Sequence, residues 1–503
     1  MTLKECLRIQ INGCKMSLKQ QAFSGMLWTS FQTFGNQIIS FLVSTILARL
    51  LLPAEFGLVG MIGIFVAVGG ALISSGLPNS LIRTTDPDQE DYSTVFVFNL
   101  IGSIIIYLLM FIAAPYIADF FKQPKLVAIA RISTLSFIIG ALSAVQVVRL
   151  HKMLDFKTET KASLVSTFLS GGIGVFFAYS GFGVMSLVYM GLSSAIINTA
   201  MLWSQSRWRP SLIFNREKFK IHFSFGSRIM LTGIIDTLFN NIYMIVIGKY
   251  FSATQLGFYS RADSIKQLPV STFSSIFNKV TFPLFAAIKN DNVRLKVVCK
   301  QLMKMVIFII APILMILAVL AEPMFRFLFT EKWLPAVPYF QILCVNGVLF
   351  PLHSYNLNIL SVKGRSDLIL RLEVIKKTLL VVILAASFKF GMFGLLWGQV
   401  LFSSVALFIN SYVSGKFISY FIWEQLQDIA PIVFLTAAMG VFVYIMDLQL
   451  LSYNDWLRLM IGGVGGSLFF IILSRILKFE SNKTITDLLI PRLKNIPLIR
   501  KLK

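Results

Sequence analysis

The chain has 503 residues, of which 56% are hydrophobic and 14% are charged, whereas soluble domains average roughly 25% charged residues. This composition excludes an ordinary soluble protein and predicts an integral membrane protein. The net charge of +23 does not indicate nucleic acid binding, because the lysines and arginines are concentrated in segments expected on one side of a membrane.

Apolar stretches long enough to cross a bilayer recur along the whole chain. About 20 apolar residues in a helix span the hydrocarbon core of a membrane. The sequence therefore predicts an all-α integral membrane protein with about 14 transmembrane helices. Their predicted centres lie near residues 38, 66, 104, 137, 170, 192, 236, 270, 312, 348, 379, 402, 437 and 466.

Breaks in the apolar pattern divide these predicted helices into two lobes. The N-terminal segment is polar and basic, and Met16 is an alternative start to Met1. Because six spans precede the lapse after Trp203, the next six have the same orientation, as in transporters built from parallel repeats. The predicted domains are a cytoplasmic leader (1–18), a six-helix lobe (19–203), a cytoplasmic linker (204–222), a second six-helix lobe (223–420), two additional transmembrane helices (421–480) and a basic cytoplasmic tail (481–503).

Basic residues determine the expected orientation. Cytoplasmic loops carry an excess of Lys and Arg, and this excess places both termini of the chain in the cytoplasm. Anionic lipids of the cytoplasmic leaflet are the expected partners of these positive charges. The clusters include Arg207, Arg209, Arg216, Lys218 and Lys220, then Lys289, Arg294, Lys296, Lys300 and Lys304, and in the tail Arg492, Lys494, Arg500, Lys501 and Lys503.

Polar residues recur every four positions in the apolar stretch that begins at Phe223. Each step of four residues drifts by only about 40° around a helix, so these residues form one stripe. A charge in a membrane helix is costly unless it faces protein or water, so the stripe is expected to line an interior. A similar stripe lies 200 positions earlier. The two stripes are Arg228, Thr232, Asp236 and Asn240, and Trp28, Gln32, Asn36 and Ser40.

A short motif also repeats at this offset of 200 residues. The stretch ARLLLPAEFGLVG at 48–60 aligns without gaps with GKYFSATQLGFYS at 248–260. Each copy contains a basic residue, a short turn, a Glu or Gln, and a Gly that opens the next helix. The alignment favours internal duplication, and its matched pairs are Arg49 with Lys249, Glu55 with Gln255, and Gly57 with Gly257.

Three stretches together resemble a known family. They are SLKQQAFSGMLWTSFQTFGNQIISFLVSTILARLLLPAEFGLVGM, GKYFSATQLGFYSRADSIKQLP and EKWLPAVP. The chain is similar to Wzx-type polysaccharide flippases, especially the branch of colanic acid and lipopolysaccharide-associated exporters. These belong to the multidrug/oligosaccharidyl-lipid/polysaccharide exporter superfamily.

The resemblance implies a transporter of the bacterial cytoplasmic (inner) membrane and not an enzyme. It would move an undecaprenyl-pyrophosphate-linked oligosaccharide to the outer leaflet by alternating access, for lipopolysaccharide, capsule or exopolysaccharide biosynthesis. A polysaccharide polymerase is a candidate partner. No cofactor and no metal are expected.

The buried cations are the candidate ligands of the lipid pyrophosphate. Arg228, Arg261 and Lys266 are expected to supply a positive field in a low-dielectric interior. Alternatively, Arg261 snorkels to the outer interface, and Lys266 is neutralised by Asp263, three residues away.

Amide side chains are the candidate ligands of the sugar. Gln32, Asn36, Asn240 and Asn356 offer hydrogen bonds, although the same amides are equally typical of contacts between membrane helices. Asp236 is the candidate ion-coupling residue, for H⁺ or Na⁺, because it is the acid expected near the middle of the seventh span. Its alternative role is a static ion pair.

Two further residues have structural interpretations. Trp333, in the predicted outer loop, is expected to anchor the chain at the membrane interface, the common role of Trp in membrane proteins. His353 is expected to be a packed or pore-facing polar residue and not a metal ligand.

Other functional classes stay open at this point. A multidrug or small-molecule cation-coupled antiporter would share the fold, although pumps for cationic drugs are expected to favour acidic cavities. A membrane-embedded polymerase or glycosyltransferase would call for a large external loop or a carboxylate pair, and neither is visible in the sequence. A purely structural scaffold would not need Arg228 and Asp236 in its interior.

Overall fold

The computed structural model describes residues 18–74, 76–211, 213–479 and 482. Within these ranges the chain forms α-helices, one 3-10 helix and loops, without a β-strand. The predicted all-α membrane protein is confirmed. The predicted leader and tail lie outside the described residues, apart from Leu18 and Asn482, so both stay predictions.

The chain divides into two compact units, Met1–Ser260 and Arg261–Lys503. The helices of the first unit are α1 (Leu18–Leu50), α2 (Pro53–Ser74), α3 (Leu77–Arg83), α4 (Gln89–Phe121), α5 (Leu126–Ser133), α6 (Leu135–Lys152), α7 (Phe156–Tyr179), α8 (Val184–Gln205), α9 (Arg216–Asn240) and α10 (Ile242–Tyr250). The helix α11 (Ala253–Ala287) contributes residues to both units. The second unit continues with α12 (Asn292–Val319), α13 (Ala321–Phe329), the 3-10 helix Glu331–Ala336, α14 (Val337–Val362), α15 (Ser366–Phe388), α16 (Gly391–Ile418), α17 (Ile422–Gln449) and α18 (Asp455–Ile476).

The predicted count of 14 transmembrane helices is not confirmed. In the described part of the chain, 11 helices are long and apolar enough to cross a membrane, or 12 when the bent pair α9 and α10 counts as one span. Helices also cover the predicted centres near 270 and 379, as α11 and α15, but these two are not among the 12. Charged residues explain the difference, because they interrupt the apolar sequence of both helices.

Asp and Asn side chains cap the N-termini of four helices, α4, α7, α9 and α12. Each side chain accepts a hydrogen bond from a backbone N–H in the first turn, where no carbonyl of the helix is available. The Asp91 N–H lies 2.9 Å from Asp88 Oδ1, and the Arg294 N–H lies 2.9 Å from Asp291 Oδ1. Asp155 and Asn215 cap α7 and α9 in the same way. The acidic residues at these N-termini therefore have a local structural role.

The predicted linker packs within the first unit. Trp208 is buried among Leu77, Val95 and other apolar side chains, and its Nε1 donates to Gln89 Oε1 at 2.6 Å. The α9 helix already begins at Arg216, and α9 and α10 pack against α2. Residues 216–260 thus belong to the first compact unit, although the predicted second lobe begins at residue 223. The boundaries of the two lobes stay predictions.

The two copies of the repeated motif adopt the same local structure. In the first copy the Leu52 N–H donates to Glu55 Oε2 at 2.8 Å, and in the second the Ser252 N–H donates to Gln255 Oε1 at 3.3 Å. Each acidic or amide side chain thus reaches back to the residue that precedes its helix, as in a capping box. This shared role explains why Glu and Gln occupy matched positions.

The copies also contact each other reciprocally. A Cβ added to Gly57 would overlap the carbonyl oxygen of Ala253, and a Cβ added to Gly257 would overlap that of Pro53. Ala253 is the counterpart of Pro53, so each glycine meets the first residue of the other copy's helix. Glycine is required at both sites because only a residue without a Cβ permits this approach. The contact supports the duplication.

We expect Gly57→Ala and Gly257→Ala each to destabilise the protein by about 1–3 kcal/mol, the usual cost of overpacking. Gly63→Ala is the matched control, since a Cβ on Gly63, also in α2, would meet no atom within 4 Å. The measurement is thermal unfolding of the purified protein in detergent. Equal stability of all three variants would contradict the reciprocal contact.

A buried ion pair joins α17 and α18. The Arg458 guanidinium of α18 binds the Asp447 carboxylate of α17 through both oxygens, with Nε–Oδ1 at 2.9 Å and Nη2–Oδ2 at 2.7 Å. Both side chains are buried. Asp455 accepts from Arg458 and also from Arg326 of α13, so the network connects this helical hairpin to the rest of the second unit.

We expect Arg458→Met to destabilise the second unit by about 3–5 kcal/mol, because it leaves the Asp447 charge buried and unpaired. The double variant Asp447→Leu with Arg458→Met should recover most of the loss, since both charges are removed. Thermal unfolding of the purified protein measures both effects. Arg365→Met is the control, because its pair with Asp367 is exposed and should not shift the transition measurably. A double variant no more stable than Arg458→Met would contradict this role.

Candidate functional site

The polar stripe of α1 packs against α7 in the first unit. Asn36 Nδ2 donates to Ser163 Oγ at 2.6 Å, and Thr167 Oγ1 donates to Asn36 Oδ1 at 3.0 Å. Thr160 Oγ1 lies 3.4 Å from Gln32 Oε1. Both polar atoms of Asn36 are thus used in a helix–helix contact, the structural alternative for this amide. Within the described residues, the Gln32 side chain uses its oxygen and makes no hydrogen bond through its nitrogen.

A polar cavity of about 370 Å³ lies beside this contact, between α1, α6, α7 and α8. Its volume is within the range of about 300–1,000 Å³ that is typical of ligand sites. Most of its lining side chains carry hydroxyl, amide or carboxylate groups. The lining residues are Gln32, Val147, Glu159, Ser163, Ser166, Thr167, Gly191, Ser194, Ala195, Asn198 and Leu202.

A histidine pairs with the acidic residue of the cavity. His151 Nε2, at the end of α6, lies 2.8 Å from Glu159 Oε2 in the first turn of α7. A partly buried carboxylate is stabilised by such a partner. The pairing holds the ends of α6 and α7 together at one side of the cavity.

The stripe of α9 lies on an exposed face next to a break in the helix. Asp236 and Asn240 are both exposed, and the axis turns by 49° between α9 and α10, which meet at Asn241. Interrupted membrane helices are typical of binding sites in transporters. The backbone of Arg228 is in α9, but its side chain lies outside the described structure.

A charged cluster fixes the start of α9 to the start of α4. Lys218 forms ion pairs with Asp88 and, at 3.2 Å, with Asp91. Buried His222 contacts Asp91 Oδ1 at 3.2 Å and Ser80 Oγ at 2.9 Å. The hydrogen bond from Lys218 lowers the pKa of Asp88 to about 2. This carboxylate therefore stays charged above pH 4, and its contribution to stability would be lost as the pH falls toward 2.

Arg261, the first residue of the second unit, is held by two aromatic rings. Its guanidinium carbon lies 5.1 Å from the ring centroid of Phe329 and 5.3 Å from that of Trp333. Only 7% of Arg261 is exposed. A desolvated cation over an aromatic face gains about 2 kcal/mol. Arg261 therefore packs inside the protein and does not snorkel to an interface.

Trp333 has a different role from the predicted one. Its side chain is completely buried, in contact with Phe329 and Arg261. An interfacial anchor must reach the lipid headgroups, so the predicted anchoring role is wrong. The buried indole ring instead forms part of the aromatic surface that contacts the Arg261 guanidinium. Two of the three stretches that resemble the flippase family, those containing Arg261 and Trp333, thus meet in space.

Lys266 is paired within its own helix. Its Nζ lies 2.6 Å from Asp263 Oδ1, one turn earlier in α11, and its side chain is buried. The predicted neutralisation of Lys266 by Asp263 is confirmed. An anion that binds Lys266 would have to compete with this carboxylate.

Asn356 belongs to a closed hydrogen-bond network of α14, α16 and α17. Its Nδ2 donates to Gln425 Oε1 at 3.1 Å, and its Oδ1 accepts from Ser414 Oγ at 2.6 Å and Gln425 Nε2 at 3.0 Å. The side chain is completely buried. A sugar would reach Asn356 only if this network opened. His353 is packed nearby against Ser403 at 3.0 Å, consistent with its predicted role as a packed polar residue.

The sequence alone did not identify the α8 residues of the cavity. Ser194 and Asn198 are four positions apart, the same spacing that identified the stripes of α1 and α9. That spacing is a usable signal, but small polar residues are common between packed membrane helices. Only the arrangement of the neighbouring helices shows that these two side chains face a cavity.

The chain is similar to proteins of polysaccharide biosynthesis. The sequence profile of a family described as "Polysaccharide biosynthesis protein" matches residues 46–338, more than half of the chain. The teichuronic acid biosynthesis protein TuaB of Bacillus subtilis (strain 168) is 28% identical over 465 residues, covering 91% of this chain and 96% of TuaB. The lipopolysaccharide biosynthesis protein WzxC of Escherichia coli (strain K12) is 25% identical over 372 residues, covering 73% of this chain and 75% of WzxC.

A solved structure has the same fold. The lipid II flippase MurJ, in an inward closed conformation, superposes with a TM-score of 0.70 and 15% sequence identity. The match covers 90% of this chain and 99% of the MurJ chain. At this level of identity the match concerns the fold alone.

Proposed function

Because the chain belongs to the polysaccharide biosynthesis protein family, as its resemblance to Wzx-type polysaccharide flippases predicts, we propose that it is a flippase. Its substrate is an undecaprenyl-pyrophosphate-linked oligosaccharide of a lipopolysaccharide, capsule or exopolysaccharide pathway. The protein moves this lipid across the bacterial inner membrane by alternating access. The activity is transport and includes no chemical step on the glycan.

The observation behind this assignment is a buried cation, Arg261, at the contact between two of the stretches that resemble the flippase family. Arg261 is buried and supported by Phe329 and Trp333, so its guanidinium is held in place before a ligand arrives. Arginine stays protonated in proteins and binds phosphate oxygens through parallel N–H groups. A pyrophosphate entering a low-dielectric space needs such a preorganised cation.

The relatives favour this function over the multidrug antiporter. TuaB and WzxC are described as proteins of teichuronic acid and lipopolysaccharide biosynthesis, and the former match extends over nearly the whole chain. A buried arginine would repel a cationic drug but attract an anionic lipid. The antiporter therefore stays the second candidate.

The flippase has further partners. Anionic lipids bind the basic cytoplasmic segments, with both termini in the cytoplasm. H⁺ or Na⁺ supplies the driving force through Asp236, and a polysaccharide polymerase receives the glycan after transport. Asn240 and Arg228, on the same helix as Asp236, contribute to the substrate path.

We expect Arg261→Ala to reduce polysaccharide export by about tenfold or more, because a hydrogen bond to a charged group contributes about 1.5–3 kcal/mol. Arg261→Lys should have an intermediate effect, since lysine keeps the charge but loses the planar stacking. The measurement is polysaccharide export in the source bacterium after replacement of the chromosomal gene, with membrane levels and thermal stability determined for each variant.

Arg131→Ala is the matched control for Arg261. Arg131 also lies over an aromatic ring, 4.1 Å from the centroid of Phe111, but it is not part of the proposed substrate path. Wild-type export by a stable Arg261→Ala variant would refute the role of Arg261 in binding the pyrophosphate.

We expect Asp236→Asn to remove the dependence of transport on the ion gradient. The neutral amide of Asn cannot bind and release a proton, and it carries no negative charge to pair with Na⁺. Transport of the undecaprenyl-pyrophosphate-linked oligosaccharide from the source bacterium is measured in proteoliposomes while pH and membrane potential are varied. Asn240→Ala, one turn away on the same exposed face, should retain that dependence. Undiminished, gradient-dependent transport by Asp236→Asn would eliminate the coupling role.

A further inference from the structure

The cavity between α1, α6, α7 and α8 has unused hydrogen-bonding groups. Within the described structure, Ser194 and Asn198 of α8 make no hydrogen bond, and the Gln32 side chain uses only its oxygen. Each of these side chains lines the cavity. A ligand with several hydroxyl groups would satisfy donors and acceptors that the protein leaves open.

The opposite wall is already ordered. Ser163 and Thr167 of α7 are hydrogen-bonded to Asn36, at 2.6 and 3.0 Å, and Thr167 also donates to the Ser163 carbonyl at 2.9 Å. These bonds hold the hydroxyl oxygens in fixed positions, where they keep lone pairs for a donor. A preorganised wall lowers the entropic cost of binding.

The charge of the cavity excludes the pyrophosphate as its occupant. None of the described lining residues is Lys or Arg, and the lining includes the carboxylate of Glu159, which is paired with His151. A phosphate placed here would meet the like charge of Glu159, and His151 is already used in the pair with that carboxylate. A long acyl chain is also disfavoured, because it would bury the open amide and hydroxyl groups without partners.

The position of the cavity matches the side on which a substrate would enter. Glu159 is in the first turn of α7. Leu202 is in the last turn of α8, which leads into the linker (204–222) that is predicted to be cytoplasmic. The flippase proposed above takes its substrate from the cytoplasmic leaflet.

We propose that this cavity is a subsite for a neutral sugar residue of the lipid-linked oligosaccharide, with Gln32, Ser194 and Asn198 as its hydrogen-bonding groups. The subsite rests on the proposed flippase function and adds a glycan-recognition site within the first unit. The sugar and the pyrophosphate are then recognised by different groups. The sugar binds in this cavity, and the pyrophosphate binds cations outside it.

The test compares two probes on the purified full chain in lipid nanodiscs, with binding measured by native mass spectrometry. One probe is undecaprenyl pyrophosphate. The other is the undecaprenyl-pyrophosphate-linked oligosaccharide extracted from the source bacterium after deletion of this gene. Ser194→Val and Asn198→Leu should each weaken binding of the glycosylated probe by about threefold to tenfold, the effect of losing one neutral hydrogen bond. Their affinity for undecaprenyl pyrophosphate should be unchanged.

Ser193→Val is the matched control. Ser193 precedes Ser194 in the same helix, but its hydroxyl donates to the Met190 carbonyl at 3.0 Å and does not line the cavity. This variant should bind both probes as the wild type does. The comparison separates a loss of sugar contacts from a general effect of valine in α8.

Several outcomes would overturn the subsite. If Ser194→Val and Asn198→Leu weaken the binding of both probes equally, these side chains have a structural role and the subsite is refuted. Unchanged affinity for the glycosylated probe in both variants would also refute it. If the wild type binds neither probe, the flippase function fails together with the subsite, whereas binding of undecaprenyl pyrophosphate with no gain from the glycan overturns the subsite alone.

Discussion

Hydrocarbon offers no hydrogen bonds, so every polar group inside a membrane helix must find its partner in the protein or in water. This constraint explains the most buried polar contacts of the second unit. Arg458 binds Asp447 through two hydrogen bonds, Asn356 is enclosed by Ser414 and Gln425, and Arg261 rests on aromatic rings. These contacts connect neighbouring helices where apolar packing alone gives little specificity.

The same constraint separates structural polar residues from candidate binding residues. Asn36 uses both ends of its amide between two helices, whereas Ser194 and Asn198 face a cavity with their hydrogen bonds unmade in the described structure. A polar side chain that faces a cavity can hydrogen-bond to water, so leaving it without a protein partner costs little free energy. When a ligand displaces that water and forms the same hydrogen bond, the bond contributes to binding. Recognition of a sugar and of a pyrophosphate can thus be assigned to different groups.

Close backbone contact is the second organising feature. Gly57 and Gly257 allow the two copies of one motif to meet, while Glu55 and Gln255 begin the adjoining helices in the same way. A duplicated sequence has therefore kept its copies at a shared contact. The exchanged partners, Ala253 and Pro53, are what a pseudo-twofold relation between the copies requires.

The sequence by itself determined the membrane class, the helical fold and the family resemblance, and it offered the Asp263–Lys266 pair as one of two roles for Lys266, because apolar length and spacing along one helix are local properties. It did not determine the number of apolar spans, since charges in α11 and α15 weaken the pattern. Only the tertiary structure decided that Trp333 supports Arg261, that Asn356 is enclosed, and that Ser194 and Asn198 face a cavity. Each of these depends on residues distant in sequence, whose approach is governed by helix packing and not by periodicity.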